Sequence, residues 1–240
     1  MPHSVHACRT AATFATSVTV AGRPDGNRAG FGTFSPQAAR RLDFTEVSRP
    51  KLRPQGEVVE RCRSLQAELG AGLAHADNGS EEPDVVELVW HGEALGTLLW
   101  ALELVELPPY DRPFDSHAVA QAALGGARLR EPQDVDLERQ SARLWHWRAR
   151  TTALQGGEEV ALPPRYATFD QLIAATAMRG FEQELLPAPM RGDFPAYGKV
   201  YRHLSAEQLA EAQAIAAERH HALNWLCGLG SGWDDVPLDT

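Results

Sequence analysis

The chain has few cysteines, and their spacing does not fit a cross-linked or metal-binding protein. Three of its 240 residues are cysteine, Cys8, Cys62 and Cys227, and they lie far apart with no Cys-x-x-Cys spacing. Such an odd, widely spaced set is typical of reduced thiols rather than of a disulfide framework. Cys62 and Cys227 fall at helical core spacing, so we interpret them as small buried apolar side chains and not as nucleophiles.

Long apolar runs and cofactor motifs are absent as well. No stretch reaches the roughly 18 apolar residues of a membrane helix, and residues 11–20 are too rich in threonine and serine for a secretory signal core. The glycine-rich stretches 125–131 and 228–233 lack the preceding strand and the Lys-Ser/Thr of a phosphate loop. No His-Glu-x-x-His motif occurs. We therefore predict a soluble, cytoplasmic protein that contacts no membrane and carries neither cofactor nor metal.

Positive charge is scarce except at the start of the chain. Residues 1–56 carry a net charge of +5, from eight basic and three acidic side chains, which leaves −14 on residues 57–240. An acidic body argues against nucleic acid as a partner, because phosphate contacts need a basic face. We interpret residues 1–50 as an irregular basic N-terminal arm, with a possible short strand near residues 13–20.

From Glu57 onward the apolar pattern is helical, which predicts an all-α fold. Residues 84–107 are the most apolar segment and predict the central buried helix, ended by Pro108 and Pro109. Gly92 and Gly96 within it lie four apart, a spacing that lets another helix approach closely. We expect a single bundle of about five to seven helices over residues 51–240, closed by a C-terminal Trp/Asp tail. The other predicted segments are helices at 57–70, 116–124, 134–154, 168–178 and 205–227, the last two opened by capping boxes, and a long loop at 186–199.

Three segments together resemble a known family. They are WHGEALGTLLWAL at residues 90–102, LREPQDVDLERQSARLWHWRAR at residues 129–150, and ERHHALNWLCGLGSGWDDVPLDT at residues 218–240. This combination is similar to a bacterial family of uncharacterised proteins catalogued as domain of unknown function 4272. The resemblance covers about residues 50–240. It implies a helical fold and brings no established activity.

Glu93 is the most informative candidate residue, because an unpaired carboxylate in an apolar helix costs several kcal/mol or more. The available partners are Arg139, Arg143, Arg148 and Arg219. One interpretation is an interhelical ion pair that fixes the helix register. The other is an anion pocket in which guanidinium groups hold a carboxylate or phosphate between indole walls. The candidate pocket or structural ion-pair cluster comprises Trp90, Glu93, Arg139, Trp145, Arg148, Arg219, Asn224, Trp225, Trp233, Asp234 and Asp239.

The C-terminal segment is unusual in combining indoles with carboxylates. Residues 234–239 contain three aspartates, and oxygen ligands of this kind can hold magnesium. His220 and His221, however, point about 100° apart on a helix and cannot bind one ion together. We favour a structural interpretation, in which Trp225 and Trp233 pack on the bundle and the aspartates bind Arg219 or backbone amides.

Two classes of function fit these observations. The first is a non-catalytic binding or interaction module whose acidic face recognises a basic protein partner. The alternative is a small-anion or small-ligand binding protein, or an enzyme, that uses an Arg/Trp/Asp pocket. The alternative is favoured if Glu93, Arg139, Arg219, Asp234 and Asp239 line one solvent-connected cavity. The first is favoured if these residues are sealed in ion pairs with no cavity and acidic residues cover one exposed face.

Overall fold

A computed structural model describes residues 50–77, 83–155 and 162–238. Within these ranges the chain forms six α-helices and one very short hairpin, so the predicted all-α bundle is confirmed. The arm before Pro50, Cys8, the strand predicted near residues 13–20 and Asp239 lie outside the described residues. The helices are α1 (Gln55–Asp77), α2 (Pro83–Ala101), α3 (Ser116–Ala120), α4 (Pro132–Gln155), α5 (Phe169–Glu182) and α6 (Ala206–Leu226), and the strands are β1 (Pro195–Ala196) and β2 (Lys199–Val200).

Helix α2 occupies the centre of the bundle, as its apolar composition predicts. It packs against both α1 and α6, while α6 also packs against α4 and α5 lies along α4. Leu95, Leu98, Leu99 and Leu102 are fully buried. Because α2 is covered on several sides, it has no solvent-facing polar stripe in its second half. Among the described helices, none is long and apolar enough to cross a membrane.

Close packing of α2 depends on its glycines, as their spacing predicted, although the partner is a loop and a short helix. A Cβ placed on Gly96 would overlap the Phe114 ring, and one on Gly92 would lie 3.1 Å from Ser116 Oγ. Phe114 lies in the connection after α2, and Ser116 is the first residue of α3. The absence of side chains at the two glycines therefore lets that connection and α3 lie directly on the helix.

The two helices that the sequence predicts to begin with a capping box do begin at those residues. Thr168 caps α5 through Gln171 N–H, and Ser205 opens α6 with a complete capping box. Four predicted ends are wrong. The helices predicted at 116–124 and 168–178 end at Ala120 and Glu182. Helix α2 stops at Ala101 rather than at residue 107, because Glu103 adopts a left-handed backbone. Helix α1 continues through Gly70 to Asp77, since packing on α2 outweighs the low helix propensity of one glycine.

The segment predicted as a long loop at residues 186–199 contains ordered structure. Strands β1 and β2 pair antiparallel through a two-residue turn, in which Tyr197 has φ 52° and Gly198 has φ 66°. Positive φ at both central residues is the backbone that best joins two twisted strands. The segment just before the hairpin places Asp193 and Phe194 in the interior.

Candidate functional site

Glu93 and Arg219 form a buried ion pair between α2 and α6. Arg219 Nε donates to Glu93 Oε2 at 2.9 Å, and the side chains are 0% and 3% exposed respectively. The other guanidinium nitrogens donate to backbone carbonyls that follow α2, Nη1 to Pro108 at 2.6 Å and Nη2 to Arg112 at 3.0 Å. Glu93 Oε1 accepts from Phe114 N–H at 2.6 Å. The pair thus fastens the α2–α3 connection to two helices.

Aromatic rings cover this ion pair. The Arg219 guanidinium lies over the rings of Tyr110 and Phe114, 4.9 Å and 5.1 Å from their centroids. Tyr110 stacks on Trp145 with centroids 5.3 Å apart, and its hydroxyl donates to Glu138 Oε1 at 2.7 Å. Burial raises the pKa of Glu138 to about 6, although Tyr110 and Arg219 oppose the shift. Sequence reasoning did not find Glu138 or Tyr110.

A second buried ion pair joins α4 to the segment before the hairpin. Arg148 donates to both carboxylate oxygens of Asp193, from Nε at 2.7 Å and from Nη2 at 2.9 Å, and both side chains are 0% exposed. Its third nitrogen, Nη1, donates to Thr152 Oγ1. Asp193 also accepts from the N–H groups of Phe194 and Arg202. Burial alone would raise the pKa of Asp193, but the hydrogen bonds from Arg148 and these N–H groups hold it below its usual value.

Two imidazoles meet between α4 and α6. His146 and His220 have ring centroids 5.1 Å apart, and His220 is 1% exposed. Asn224 Nδ2 is 3.1 Å from His220 Nε2 and also donates to Pro237 O at 2.9 Å. Burial lowers the pKa of His146 to about 4 and the pKa of His220 well below 6.5. Both rings are therefore neutral at pH 7.

Arg53, which precedes α1, binds the end of α6 through backbone and side chain. Its N–H donates to Leu226 O at 2.9 Å, Nε to Trp225 O at 2.7 Å, and Nη2 to Gly230 O at 3.0 Å. Its guanidinium carbon lies 4.7 Å from the centroid of the Trp225 ring. Two of these acceptors, the carbonyls of Trp225 and Leu226, belong to the last turn of α6, where carbonyls have no partner within the helix.

The C-terminal tail, residues 227–238, folds back over α1 and α6. Trp233 lies edge-on to Trp225 with centroids 5.3 Å apart, and the Arg61 guanidinium covers its ring at 4.1 Å. His221 Nε2 is 2.9 Å from Trp233 O. Asp235 accepts from backbone N–H groups of residues 231 and 232 at 3.1 Å and 2.6 Å. The carboxylate that holds backbone amides in the described part of the tail is thus Asp235, whereas Asp234 of the candidate cluster is exposed.

The structure divides the predicted cluster among several places. Glu93 and Arg219 form one ion pair, and Arg148 belongs to the other. Trp145 lies between the two pairs, because it touches Tyr110 on one side and Phe194 edge-on at 5.2 Å on the other. The remaining described members lie apart from both pairs. Arg139 forms an ion pair with Asp136 on its own helix, and Trp90 is half-buried against the core. Asn224, Trp225 and Trp233 contact one another or the tail, and Asp234 is exposed.

Asp193 is the most important residue that sequence reasoning missed. It lies in a segment with three prolines and no helical periodicity, which favoured a solvent-exposed loop. The available signal was the density of aromatic residues around it, Phe194, Tyr197 and Tyr201, since aromatic side chains in such a segment need a core to pack against.

The thiols and the possible metal ligands offer no reactive centre in the described part of the chain. Burial raises the pKa of both Cys62 and Cys227 to about 12, so neither carries the thiolate that a nucleophile needs. No group of three or more histidines, cysteines or carboxylates is arranged to hold a metal ion among these residues.

Comparison with known proteins found no relative for this chain. No protein-family model, no curated protein and no solved structure matches it. Membership in the family that the sequence resembles therefore stays a prediction. Function must be argued from the chemistry of the described residues.

Proposed function

We propose that this chain is a non-catalytic interaction module of the cytoplasm, whose acidic surface binds a basic segment of a partner protein. The observation that carries the proposal concerns the two fully buried arginines. In Arg148 and in Arg219, every guanidinium nitrogen donates to a carboxylate, hydroxyl or carbonyl of the protein itself. An anion pocket built on either arginine would first have to break these bonds, which argues against the alternative function.

The charge that remains for recognition is negative. Residues 57–240 carry −14, and exposed carboxylates lie at the ends of three helices. Exposed charges raise the rate of association with an oppositely charged surface and disfavour a like-charged one. They also oppose binding to nucleic acid. The exposed carboxylates at these helix ends are Glu131 and Asp134 of α4, Glu182 and Glu184 of α5, and Glu207 of α6.

The proposal is tested with labelled peptides and the full-length chain. Fluorescence anisotropy compares an arginine- and lysine-rich peptide with an acidic peptide of equal length. We expect binding of the basic peptide alone, weakened about tenfold or more between roughly 50 mM and 200 mM salt, because exposed charges are screened. The double variants Glu131→Lys/Asp134→Lys and Glu182→Lys/Glu184→Lys are matched in charge change, and at least one should weaken binding.

Two results would contradict the proposal. One is the absence of binding at low salt. The other is binding that neither salt nor charge reversal changes. Thermal unfolding in inorganic phosphate and in acetate checks the alternative function, since a small anion that binds the folded state raises Tm with concentration. We expect no specific rise relative to chloride at equal ionic strength.

A further inference from the structure

Unpaired polar atoms are concentrated where α1, α2 and α6 meet beneath the C-terminal tail. Arg61 Nε, His91 Nδ1 and His221 Nδ1 are all buried and have no hydrogen-bond partner. Trp233 contacts both Arg61 and His221, and Glu68 lies within 4 Å of both Arg61 and His91, so shared neighbours connect the three side chains. Buried polar atoms are nearly always paired in folded proteins. Three unpaired nitrogens from three helices therefore indicate a local arrangement with a role beyond packing.

The protonation state of His221 follows from its hydrogen bond. Its Nε2 lies 2.9 Å from Trp233 O, and a carbonyl oxygen can only accept, so Nε2 carries the ring hydrogen. In the neutral ring, Nδ1 then carries no hydrogen, and its lone pair lies in the protein interior without a hydrogen-bond donor. Any proton taken up by this residue goes to Nδ1, where no acceptor is placed to receive a hydrogen bond.

The charges around His221 disfavour that proton. Arg61 on α1 is a permanent cation 4.1 Å from the Trp233 ring centroid, and the His91 imidazole on α2 lies near the same group. Two carboxylates face the group. Glu68 on α1 lies 3.9 Å from Arg61 and 3.7 Å from His91, beyond hydrogen-bond distance, and Asp234 in the tail is exposed.

We propose that the C-terminal tail is a pH-sensitive strap, closed over a neutral His221 and released when that imidazole takes up a proton. Trp233 is the part of the tail that covers His221, through the carbonyl bond and through a ring contact at 4.5 Å. Moving the tail away exposes His221 to water and releases the Arg61 guanidinium from the Trp233 ring. Release is thus the simplest way for the protein to accommodate the proton.

The direction of the pH effect agrees with this mechanism. Burial lowers the pKa of His221 below 6.5, and Arg61 adds to the shift, while the hydrogen bond to Trp233 and the charge of Asp234 oppose it. A histidine whose pKa is lower in the closed form stabilises that form above pH 6.5, and this stabilisation is lost as the pH falls. The tail is therefore held at neutral pH and freed in acid.

Hydrogen exchange of the full-length chain tests the proposal. Protection of tail amides 228–238, corrected for the intrinsic rate at each pH, is compared at about pH 8 and about pH 5.5. We expect tail protection to fall severalfold, by at most about tenfold, on acidification while amides of α4 keep theirs, because one proton is taken up by a group whose ordinary pKa is 6.5. This range lies above the pKa of about 4 at which His146 becomes charged.

His221→Gln is the decisive variant, because its amide can donate to Trp233 O but cannot titrate. It should keep the tail protected at both pH values. His203→Gln, at an exposed site, is the control and should behave like the unaltered chain. Equal tail protection at both pH values in the unaltered chain would overturn the proposal. So would loss of α4 protection together with the tail, or acid release that persists in His221→Gln.

Discussion

At the residue scale, two arginines organise the interior because each connects segments that are distant in the chain. Arg219 joins α6 to α2 and to the connection after it, and Arg148 joins α4 to the segment before the hairpin. Both are fully buried, and each brings a carboxylate into the core. A buried ion pair adds little net stability over an apolar pair of equal volume, but removing one partner leaves an uncompensated charge.

Arg219→Ala should destabilise the fold strongly. Glu93 would remain buried without its partner, and burial already raises the pKa of Glu93 against the opposing effect of Arg219. We expect the free energy of unfolding in urea to fall by about 3–5 kcal/mol at pH 7. The double variant Glu93→Leu/Arg219→Met should recover part of this loss. A single variant within about 0.5 kcal/mol of the unaltered chain would contradict a structural role.

Glu138 gives a prediction about pH. Burial raises its pKa from 4.5 to about 6, so the folded state favours the protonated carboxyl. The stability that this group contributes is present below pH 4.5 and is lost as the pH rises through about 6. Glu138→Gln keeps an acceptor for the Tyr110 hydroxyl and removes the titration. As the pH rises from 4.5 to about 6, the Tm of Glu138→Gln should therefore increase relative to the Tm of the unaltered chain. A difference in Tm that does not change with pH would refute the raised pKa of Glu138.

At the element scale, the sequence predicts those helices and helix starts that interactions between neighbouring residues determine. The apolar run of α2 and the caps at Thr168 and Ser205 located three helices correctly, because periodicity and capping are properties of neighbouring residues. The end of α2 at Ala101 was not predictable in this way. Its last carbonyls are satisfied by the N–H groups of Arg128 and Arg130, which are distant in the chain.

The candidate site was predictable to the same limited extent. Glu93 was identified because a carboxylate in an apolar helix must find a partner, and the sequence offered four arginines without deciding among them. The choice of Arg219 depends on how α2 and α6 cross, which is a property of packing. Asp193 was missed because its burial depends on a hairpin that has no periodic pattern.

Two glycine substitutions test packing at the element scale. Gly96→Ala should lower the free energy of unfolding by about 1–3 kcal/mol, because the new methyl group overlaps the Phe114 ring. Gly70→Ala is the matched control, since it lies within α1 and a Cβ there meets nothing within 4 Å. This change should stabilise by about 0.5–1 kcal/mol through helix propensity. Equal effects in urea unfolding would show that α2 and its connection are not closely packed.

At the scale of the whole molecule, the tail completes the bundle. Trp233 covers Trp225 and Arg61, and Asn224 holds the tail at Pro237. Residues 57–240 meanwhile carry a net charge of −14. Under the proposed function, the exposed carboxylates would serve recognition while the buried residues provide stability.

Deleting residues 231–240 should lower Tm by about 6–12 °C. Removal of a packed indole costs about 3 kcal/mol, and 1 kcal/mol corresponds to about 2–4 °C in a chain of this size. Differential scanning calorimetry at pH 7.5 measures the change. Trp233→Ala in the full-length chain should reproduce most of it. A truncated chain that melts with the full-length protein would show that the tail does not contribute to the fold.

The contacts of Arg53 have a consequence for protein engineering. Because it touches Leu226 and Gly230, the beginning and the end of the helical domain are neighbours in space. Adjacent ends allow a domain to be inserted into a surface loop of a host protein, or its chain order to be permuted, with short connecting peptides. A circular permutant of residues 50–238, reopened in the exposed turn at Gly125 and Gly126, should therefore retain the same helical bundle.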